Sequence, residues 1–435
     1  MNVKLEYWNK MTKEAKEKLF SRSGLDISAV KPAVEEILNT VKTRGDEALR
    51  EYAHKFDKAD LSHISLLVSE DEYEKAEASL SGELKAALDY CIENVKTICE
   101  QQKPDAMSFT EIRPGIFAGE RPSPLASAGL YVPRGRGSFP SMLYMTAIPA
   151  KTAGVPRVQV VTPPNPDGTV DAACLYTAKK CGVDAVYRTG GAQAIAALAY
   201  GTETIPKVVK VTGPGSMYVA AAKLLLHGVF DTGLPAGPSE SILIADYSAD
   251  PHLVALDLMV EAEHGSDSAA LLLTPSERLA EEVAKEIAEL GDELPEPRKT
   301  FIKDVFSGYG GIIITEGIDQ AIEISNRYAP EHLQLQVADP FALLGKIENA
   351  GEVLMGPNVP FSAANYATGV NAVLPTGGGA HTWSAVSVRD FIKYTSVVYA
   401  TDEGYEGLAG HTAAIADYEG FITHGNAVKN RFPEK

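Results

Sequence analysis

The sequence lacks the features that would direct a chain to a membrane or out of the cell. Residues 1–10 are polar and charged, without the apolar stretch and small-residue cleavage site of a secretory signal. No apolar run approaches the roughly 20 residues that a membrane-spanning helix needs. The four cysteines include no C-x-x-C spacing and are too few for a disulfide framework in 435 residues. We therefore expect a cytoplasmic protein whose cysteines are structural thiols.

An excess of positive charge, low-complexity segments and short-period repeats are also lacking. Forty Lys and Arg residues stand against 58 Asp and Glu residues, which gives a net charge of −18 at pH 7. We therefore expect neither nucleic acid nor an anionic membrane as a partner, and an anionic substrate must meet local cations. A chain of 435 residues is longer than one hydrophobic core usually serves, so two or more domains are expected.

Hydrophobic periodicity separates a helical start from a middle part of alternating strands and helices. Residues 28–102 show helical spacing, dense charge and almost no glycine. From Gly129 onward, short apolar runs alternate with helical segments, which indicates βα units and largely parallel sheets. The predicted strands are 158–162, 185–188, 208–211, 241–245, 269–273, 311–315 and 352–355.

A segment rich in Gly and Pro, residues 234–239, divides these strands into two groups. We therefore predict an α/β protein with two Rossmann-like parallel-sheet domains, a helical N-terminal layer and a helical C-terminal arm. Residues 386–435 are expected to be helical, with breaks at Gly410 and Gly420. The predicted boundaries are 1–128 joining 240–380 for the first domain, 129–239 for the second domain and 381–435 for the arm.

The segment 250–265 is predicted to be a helix, with Asp250 as its N-cap and Pro251 in its first turn. Glu261 and His264 lie three residues apart near its end. They are therefore neighbours on one helical face, a spacing with which Glu-x-x-His places two metal ligands side by side. An acidic last turn, followed by a histidine that the helix dipole favours, fits the same residues equally well.

A second helix is predicted to end before Pro330, and an alternating strand follows it directly. Glu331 and His332 therefore lie at a helix-to-strand junction. An adjacent carboxylate and imidazole can act as a general acid/base pair, because His titrates near neutrality and partial burial raises the pKa of Glu toward it. Solvated loop residues without such a role are the more common case.

Three glycine-containing segments are candidates for binding a nucleotide. Residues 129–141 carry Gly-x-Gly but lack the third glycine of the dinucleotide fingerprint. Residues 189–193 and 212–216 each follow a strand and open a helix, where backbone N–H groups and the helix dipole favour phosphate. Two such turns in one half of the chain favour a nucleotide site, whereas a tight turn without a ligand explains either one separately.

A series of longer motifs runs through the chain in a fixed order: GLYVP, AIPAK-x-AGV, VTPP, GGAQAIAALAYGT, GPG-x-x-YV, PAGPSE, EHG-x-DS, APEHL, YATG-x-N-x-VLPT and EG-x-x-x-H. Together they resemble the histidinol dehydrogenase family over nearly the whole chain. The resemblance implies a zinc enzyme that oxidises a primary alcohol, through a held aldehyde, to a carboxylate with two NAD⁺ in sequence. It also implies an NAD-binding domain at 129–239, and a homodimer in which the dimerisation arm, 381–435, completes the partner's active site.

Carried over by position, the resemblance implies roles for single residues. Glu331 and His332 correspond to the catalytic pair of APEHL, with His332 taking the hydroxyl proton and Glu331 activating the hydrolytic water. The expected NAD contacts are Tyr131, Gln193 and Ser216, and the expected substrate contacts are Ser239 and Glu419. The family usually has Asn at the position of Ser216.

The metal ligands depart from the family pattern at two positions. The family has Gln, His, Asp and His, and the matching residues here are Glu261, His264, Asn365 and His424. The two changes are complementary, because Gln to Glu adds one negative charge and Asp to Asn removes one. All four side chains offer oxygen or imidazole nitrogen donors suited to zinc. We therefore predict an exchange of carboxylate and amide between two ligand positions, and not a lost metal site.

Further departures concern the substrate. Ala372 stands where the family has a histidine in the substrate pocket, and Arg134 and Arg136 stand where the family often has Gly and Ser or Thr. A guanidinium repels the cation histidinol but pairs well with a carboxylate, sulfonate or phosphate. We predict that Arg136 binds an anionic substrate. A surface arginine, or one that pairs with the NAD pyrophosphate, is the equally weighted alternative.

Three hypotheses for the function follow. The leading one is a zinc- and NAD-dependent dehydrogenase of a small anionic polyol, with 2,3-dihydroxypropane-1-sulfonate, a substrate of some relatives in the family, as the candidate. The first alternative is authentic histidinol dehydrogenase, which converts L-histidinol to L-histidine. The second is a non-catalytic nucleotide-binding paralogue. The joint presence of Glu331, His332, His264 and His424 argues against that second alternative.

Overall fold

The structure is a computed structural model, and it describes residues 1–21, 27–134 and 137–431. The strands are β1 (Leu5–Tyr7), β2 (Ser108–Arg113), β3 (Ile116–Pro124), β4 (Ala128–Tyr131), β5 (Val158–Thr162), β6 (Ala185–Arg188), β7 (Lys210–Thr212), β8 (Glu240–Ala245), β9 (Ala269–Thr274), β10 (Gly311–Ile314), β11 (His332–Gln336), β12 (Glu352–Met355) and β13 (Ile392–Ala400). The helices are α1 (Lys13–Ser21), α2 (Lys31–Tyr52), α3 (Glu70–Ser79), α4 (Gly82–Gln101), α5 (Pro140–Thr152), α6 (Ala172–Lys180), α7 (Gly191–Tyr200), α8 (Met217–Leu225), α9 (Pro251–Ala262), α10 (Glu277–Glu293), α11 (Arg298–Ser307), α12 (Ile318–Tyr328), α13 (Phe341–Leu344), α14 (Phe361–Tyr366), α15 (Asp402–Tyr418) and α16 (Ile422–Lys429). Within these described residues, every helix is too short or too polar to cross a membrane.

A six-stranded parallel sheet with the order β1-β10-β9-β8-β11-β12 forms the larger of two βα layers. Helices α9, α10 and α11 cover one face of this sheet, and α12 covers the other. Its central strands are buried on both faces, and this explains why β8 and β9 are nearly continuous apolar runs and do not alternate.

The second layer is a four-stranded parallel sheet with the order β6-β5-β4-β7. One core combines this sheet with α2, α7 and α8. The strands of this sheet end at Thr212, and those of the six-stranded sheet resume at Glu240, so the segment 234–239 does separate two groups of strands. The predicted α/β class with two parallel sheets is confirmed.

The N-terminal region is shared between the two layers. Strand β1 pairs with β10, and Leu19 and Phe20 of α1 pack on the six-stranded sheet. Helix α2 instead packs on α7 and α8, because its apolar row, which includes Val34 and Val41, meets their apolar faces. Segments of residues 1–128 thus pack on both sheets. The functional domain boundaries stay a prediction.

The chain forms two compact units. Unit 1 comprises Met1–Gln102 and Leu125–Phe391, and unit 2 comprises Lys103–Pro124 and Ile392–Lys435. Unit 2 contains an antiparallel sheet of order β13-β3-β2, followed by α15 and α16.

The prediction that residues 386–435 are helical was wrong for β13. This segment is rich in β-branched and aromatic residues, which favour a strand, and it pairs along its whole length with β3. Helix α15 also continues through Gly410. Between α15 and α16 the helical stretch is interrupted at residues 419–421, where Gly420 has a φ of +77°, in the left-handed region that favours glycine.

Candidate active site

Helix α9 positions two of the predicted metal ligands. Asp250 caps the helix as predicted, because its carboxylate accepts the backbone N–H of His252 at 2.8 Å. The helix ends at Ala262, so Glu261 lies in the last turn and His264 lies just beyond it. Nδ1 of His264 is nevertheless 3.3 Å from Oε2 of Glu261. The predicted pair therefore meets, although His264 is not part of the helix.

Glu261 is the centre of a buried polar cluster, with 1% of its surface exposed. Asn365, on α14, donates a hydrogen bond of 2.8 Å from Nδ2 to Oε1 of Glu261. Nε2 of His332 lies 3.8 Å from the same oxygen. Three of the four predicted ligands, Glu261, His264 and Asn365, are thus in contact. The fourth, His424, is exposed on α16 in unit 2.

A left-handed turn leads the chain from α12 into the site. Ala329 has φ +50° and ψ +66°, values uncommon for a residue other than glycine, and Pro330 ends the helix as predicted. The next strand, β11, begins at His332 and lies between β8 and β12. Oε2 of Glu331 accepts the backbone N–H of Glu240 at 3.0 Å. The predicted helix-to-strand junction is confirmed, and both of its polar side chains are buried.

Three carboxylates surround the ring of His332. Its Nε2 is 3.8 Å from Oε1 of Glu261 and 3.8 Å from Oε1 of Glu331, and its Nδ1 is 2.6 Å from Oε1 of Glu352. Burial alone would lower the pKa of His332, but these carboxylates outweigh burial and raise the pKa to about 10.

The pKa values of the two carboxyl groups near Nε2, those of Glu331 and Glu261, are shifted in opposite directions. Burial raises the pKa of Glu331 well above its ordinary range, and the attraction of His332 only partly opposes this. Burial also acts to raise the pKa of Glu261, but His332, His264 and the Asn365 amide hold it below its ordinary value. Such a division between neighbouring carboxyl groups is the arrangement in which acid and base roles separate.

The donors around Glu261 fit a divalent cation by their chemistry, since carboxylate, amide and imidazole groups are all zinc ligands. The carboxylate of Glu261 faces nitrogen atoms of Asn365, His264 and His332. These atoms stabilise its negative charge, as a bound cation would. Among the described residues, no group of three or more His, Cys, Asp or Glu side chains forms a metal site. The predicted set contains an amide, and one of its two histidines, His424, belongs to unit 2.

Tyr131 lies between the two glycine turns at residues 189–193 and 212–216. It ends β4, it is buried, and its hydroxyl accepts the N–H of Gly191 at 3.1 Å. Burial raises the pKa of Tyr131 to about 12, so the hydroxyl keeps its own proton for donation. Gln193 is buried in the first turn of α7, and a Cβ on Gly191 would lie 2.6 Å from its Oε1. Two predicted NAD contacts therefore meet at one turn.

The second turn precedes α8 and approaches the same tyrosine. Gly213 has φ +113°, and a Cβ there would lie 2.1 Å from the carbonyl oxygen of Tyr131. Lys223, a buried residue of α8, donates from Nζ to the carbonyl oxygen of Gly213 at 2.9 Å. Ser216 is the exposed N-cap residue of α8, and its side chain forms no capping hydrogen bond. The turn is thus held from both sides, while the predicted contact Ser216 stays accessible.

The predicted substrate residues lie in separate parts of the chain. Ser239 is half-buried directly before β8, and Ala372 is buried. Glu419 is exposed at the end of α15 in unit 2. Arg134 is exposed and donates to a backbone carbonyl at 3.3 Å. Arg136 lies outside the described residues, so its anion-binding role stays a prediction.

Sequence reasoning missed Glu240 and Glu352. The parallel register places Ser241 on one side of His332 and Glu352 on the other. No spacing along the chain could predict these contacts, because parallel neighbours are joined through long crossovers. The available signal was a glutamate within or beside an apolar run predicted to be a buried strand, since Glu is rarely buried without a partner.

Comparisons with known proteins agree with the motifs. The family described as histidinol dehydrogenase matches residues 20–432. The chain is 48% identical over 421 residues to a histidinol dehydrogenase of Synechocystis sp., with 97% of both chains covered. It is 47% identical over 428 residues to a histidinol dehydrogenase homolog of Rhizobium meliloti, with 98% of this chain and 94% of the relative covered. The crystal structure of histidinol dehydrogenase from Elizabethkingia anophelis aligns with a TM-score of 0.92 and 34% identity, over 100% of this chain and 98% of that chain.

Proposed function

Because this chain belongs to the histidinol dehydrogenase family, and is therefore an oxidoreductase that acts on a CH–OH group, we propose that it oxidises a small primary alcohol through an aldehyde to a carboxylate, with NAD⁺ as the hydride acceptor. The observation that carries this proposal is the buried contact of His332 with Glu331 and Glu261, at 3.8 Å to each. It gathers a proton acceptor, a second carboxyl group and predicted metal ligands at one point.

The two residues of the APEHL motif divide the proton transfers. Nε2 of His332 takes the hydroxyl proton in the alcohol step, for which the ring must be neutral; a cation held by Glu261 would offset the charge that contributes most to the raised pKa of His332. Glu331 then takes a proton from the water that attacks the aldehyde, and its raised pKa makes it a stronger base than an ordinary carboxylate. When bound, zinc supplies polarisation of the substrate oxygen, and NAD⁺ accepts a hydride in each step.

The residues that would hold zinc are Glu261, His264, Asn365 and His424. The hydrogen bond between Asn365 and Glu261 supports the proposed exchange, because it shows the new carboxylate and the new amide side by side. Elemental analysis should find about one zinc per chain. Glu261→Gln, which leaves two neutral amides, should lose most of the metal, and adding Asn365→Asp should restore it. Unchanged zinc content in the single variant would contradict the ligand set.

The names of the relatives favour histidinol as the substrate. The Synechocystis protein and the Elizabethkingia structure carry that name, at 48% and 34% identity over nearly the whole chain. An anionic alcohol, such as 2,3-dihydroxypropane-1-sulfonate, is the second candidate. Ala372 favours it, because no imidazole is present there to contact histidinol, and Arg136 adds a cation where the family often has a small residue.

A direct assay separates these two substrates. Metal-loaded protein is incubated with NAD⁺ and either histidinol or dihydroxypropanesulfonate, and NADH formation is followed. If Arg136 pairs with an anion, Arg136→Ser should weaken the binding of the sulfonate by about 1.5–3 kcal/mol, seen mainly as a higher KM. Arg134→Ser is the matched control and should change little. Rapid histidinol oxidation that is insensitive to Arg136→Ser would establish histidinol as the substrate.

A homodimer with shared active sites is part of the proposal. The helices of unit 2 expose Ile415, Tyr418 and Ile422 to 61%, 93% and 73%, and so leave apolar surface in water. A second copy of the chain would cover it. Refolding inactive His332→Ala chains together with inactive His424→Ala chains should recover partial activity, and no recovery would mean that each chain forms its own site.

The cytoplasm stays the proposed location. All four cysteines are free thiols, and three of them are buried, as is usual for proteins of reducing compartments. The net charge of −18 gives no reason to propose nucleic acid or an anionic membrane as a partner.

A further inference from the structure

We propose that Glu352 is a positioning residue that holds the ring of His332 by its Nδ1 atom, so that Nε2 is the nitrogen that exchanges protons with the substrate. The inference rests on the proposed function, because it assigns the orientation of the base in that reaction.

The contact is short, buried and set by the sheet. Oε1 of Glu352 lies 2.6 Å from Nδ1 of His332, and the exposed fractions of the two side chains are 9% and 3%. Glu352 opens β12 and pairs in register with His332, the first residue of β11. A separation of 2.6 Å between nitrogen and a carboxylate oxygen is that of a strong, charge-assisted hydrogen bond.

The opposite side of the ring is left for chemistry. Nε2 is 3.8 Å from a carboxylate oxygen of Glu261 and of Glu331, too far for a hydrogen bond. Phe361 packs edge-on against the ring, with centroids 5.7 Å apart at an angle of 71°, and limits its rotation. The hydrogen bond to Glu352 therefore fixes the ring with Nε2 directed toward the predicted ligands and Glu331.

A purely structural role explains this glutamate poorly. Its second oxygen, Oε2, is buried and has no hydrogen-bond partner among the described residues. A buried carboxylate with one partner is weak support for stability, because removing it from water opposes the attraction it gains. The geometry matches the pattern in which a carboxylate orients a catalytic imidazole and selects its tautomer.

The kinetic test compares three variants with the full-length, metal-loaded protein. Glu352→Ala removes the acceptor and should lower kcat about 10²-fold, within the usual contribution of a general base, while KM for alcohol and NAD⁺ changes less than about twofold. Glu352→Gln keeps an oxygen acceptor without its charge and should recover part of that loss. Asp257→Asn makes the same chemical change in a buried carboxylate that accepts from Gln334 and Gln336 on β11, and it should retain wild-type turnover.

A spectroscopic test does not depend on turnover. In protein labelled with ¹⁵N-histidine, Nδ1 of His332 should carry a strongly deshielded proton, assigned by its loss in His332→Gln. The signal should disappear in Glu352→Ala and persist, shifted, in Glu352→Gln. If the alanine variant does not fold, the glutamine variant carries both tests, with an expected loss of about tenfold in kcat.

The outcomes separate the two proposals. A wild-type enzyme that turns over alcohols, with Glu352 variants of equal kcat or an unchanged His332 signal, would overturn the positioning role. A wild-type protein that oxidises no alcohol, yet shows the deshielded proton, would overturn the proposed function. In that case the contact would be established and its role in proton exchange rejected.

Discussion

The two sheets of unit 1 gather their candidate residues by different means. At the six-stranded sheet, the site consists of buried side chains, with Glu261, Glu331 and Glu352 around the ring of His332. At the four-stranded sheet, it consists mainly of backbone, with two glycine turns that approach Tyr131. The first region carries charge, whereas the second presents N–H groups where strands lead into helices.

This difference predicts which substitutions each region tolerates. The carboxylate cluster should be sensitive to charge and insensitive to small changes of volume, because its proposed function depends on proton affinities. The glycine turns should be sensitive to a single methyl group, because an added Cβ at Gly213 meets a backbone oxygen that cannot move aside alone. Substitutions of each kind test this difference between the two regions.

The largest effect is expected at His332. His332→Ala should lower NADH formation by about 10²–10⁴-fold, the usual contribution of a general base. NAD⁺ binding, measured by calorimetry, should be unchanged. Glu331→Gln is the paired variant and should spare the alcohol step while blocking water attack, so that one NADH forms per alcohol in place of two. A His332→Ala enzyme with most of its turnover would show that the cluster is not the proton-exchanging site.

A smaller effect concerns Lys223, whose Nζ holds the Gly213 turn. Burial, with a contribution from Lys210, lowers the pKa of Lys223 from 10.5 to about 8. Between these pH values the unfolded chain keeps a proton that the folded chain has released, so the free energy of unfolding rises with pH across this window. The pKa difference corresponds to about 3 kcal/mol.

Lys223→Met should remove this rise, measured as the difference between wild-type and variant urea unfolding curves at pH 8 and pH 10.5. Lys207→Met, at an exposed lysine, is the control and should follow the wild-type curve. If Lys223→Met and wild type change in parallel with pH, the amine is not the buried group that the turn depends on.

The smallest effect is expected for Gly213→Ala. The variant must adopt φ +113° and displace the Tyr131 carbonyl oxygen, at a cost of about 1–3 kcal/mol. We expect roughly tenfold weaker NAD⁺ binding, with kcat at saturating NAD⁺ nearly unchanged. Gly228→Ala shares the positive φ, at +92°, but meets open space, so it isolates backbone strain from the steric contact. Equal behaviour of the two variants would remove the distinction drawn between the regions.

The secondary structure was predictable where one apolar run of the sequence forms one strand. The apolar runs 158–162, 185–188 and 352–355 are strands with the predicted bounds. Residues 392–400 were wrongly predicted to be helical, because a single strand followed by two helices gives little periodic signal. The β-branched and aromatic residues of this segment nevertheless indicated a strand. The positions of α2 and β1 on different sheets were beyond sequence reasoning, since amphipathicity shows that a face is buried but not against what.

The chain itself determined the elements, the helix cap at Asp250, the break at Pro330 and, through its motifs, the family and the set of candidate residues. These are local properties, carried by backbone restrictions and by spacing along one helix. The contacts of Asn365 with Glu261 and of Glu352 with His332 arise from the tertiary structure, because separate helices and parallel strands bring together residues that are 104 and 20 positions apart. The pKa values of Glu331 and His332 also depend on the tertiary structure, since they arise from burial and from charges that become neighbours only when the sheet forms.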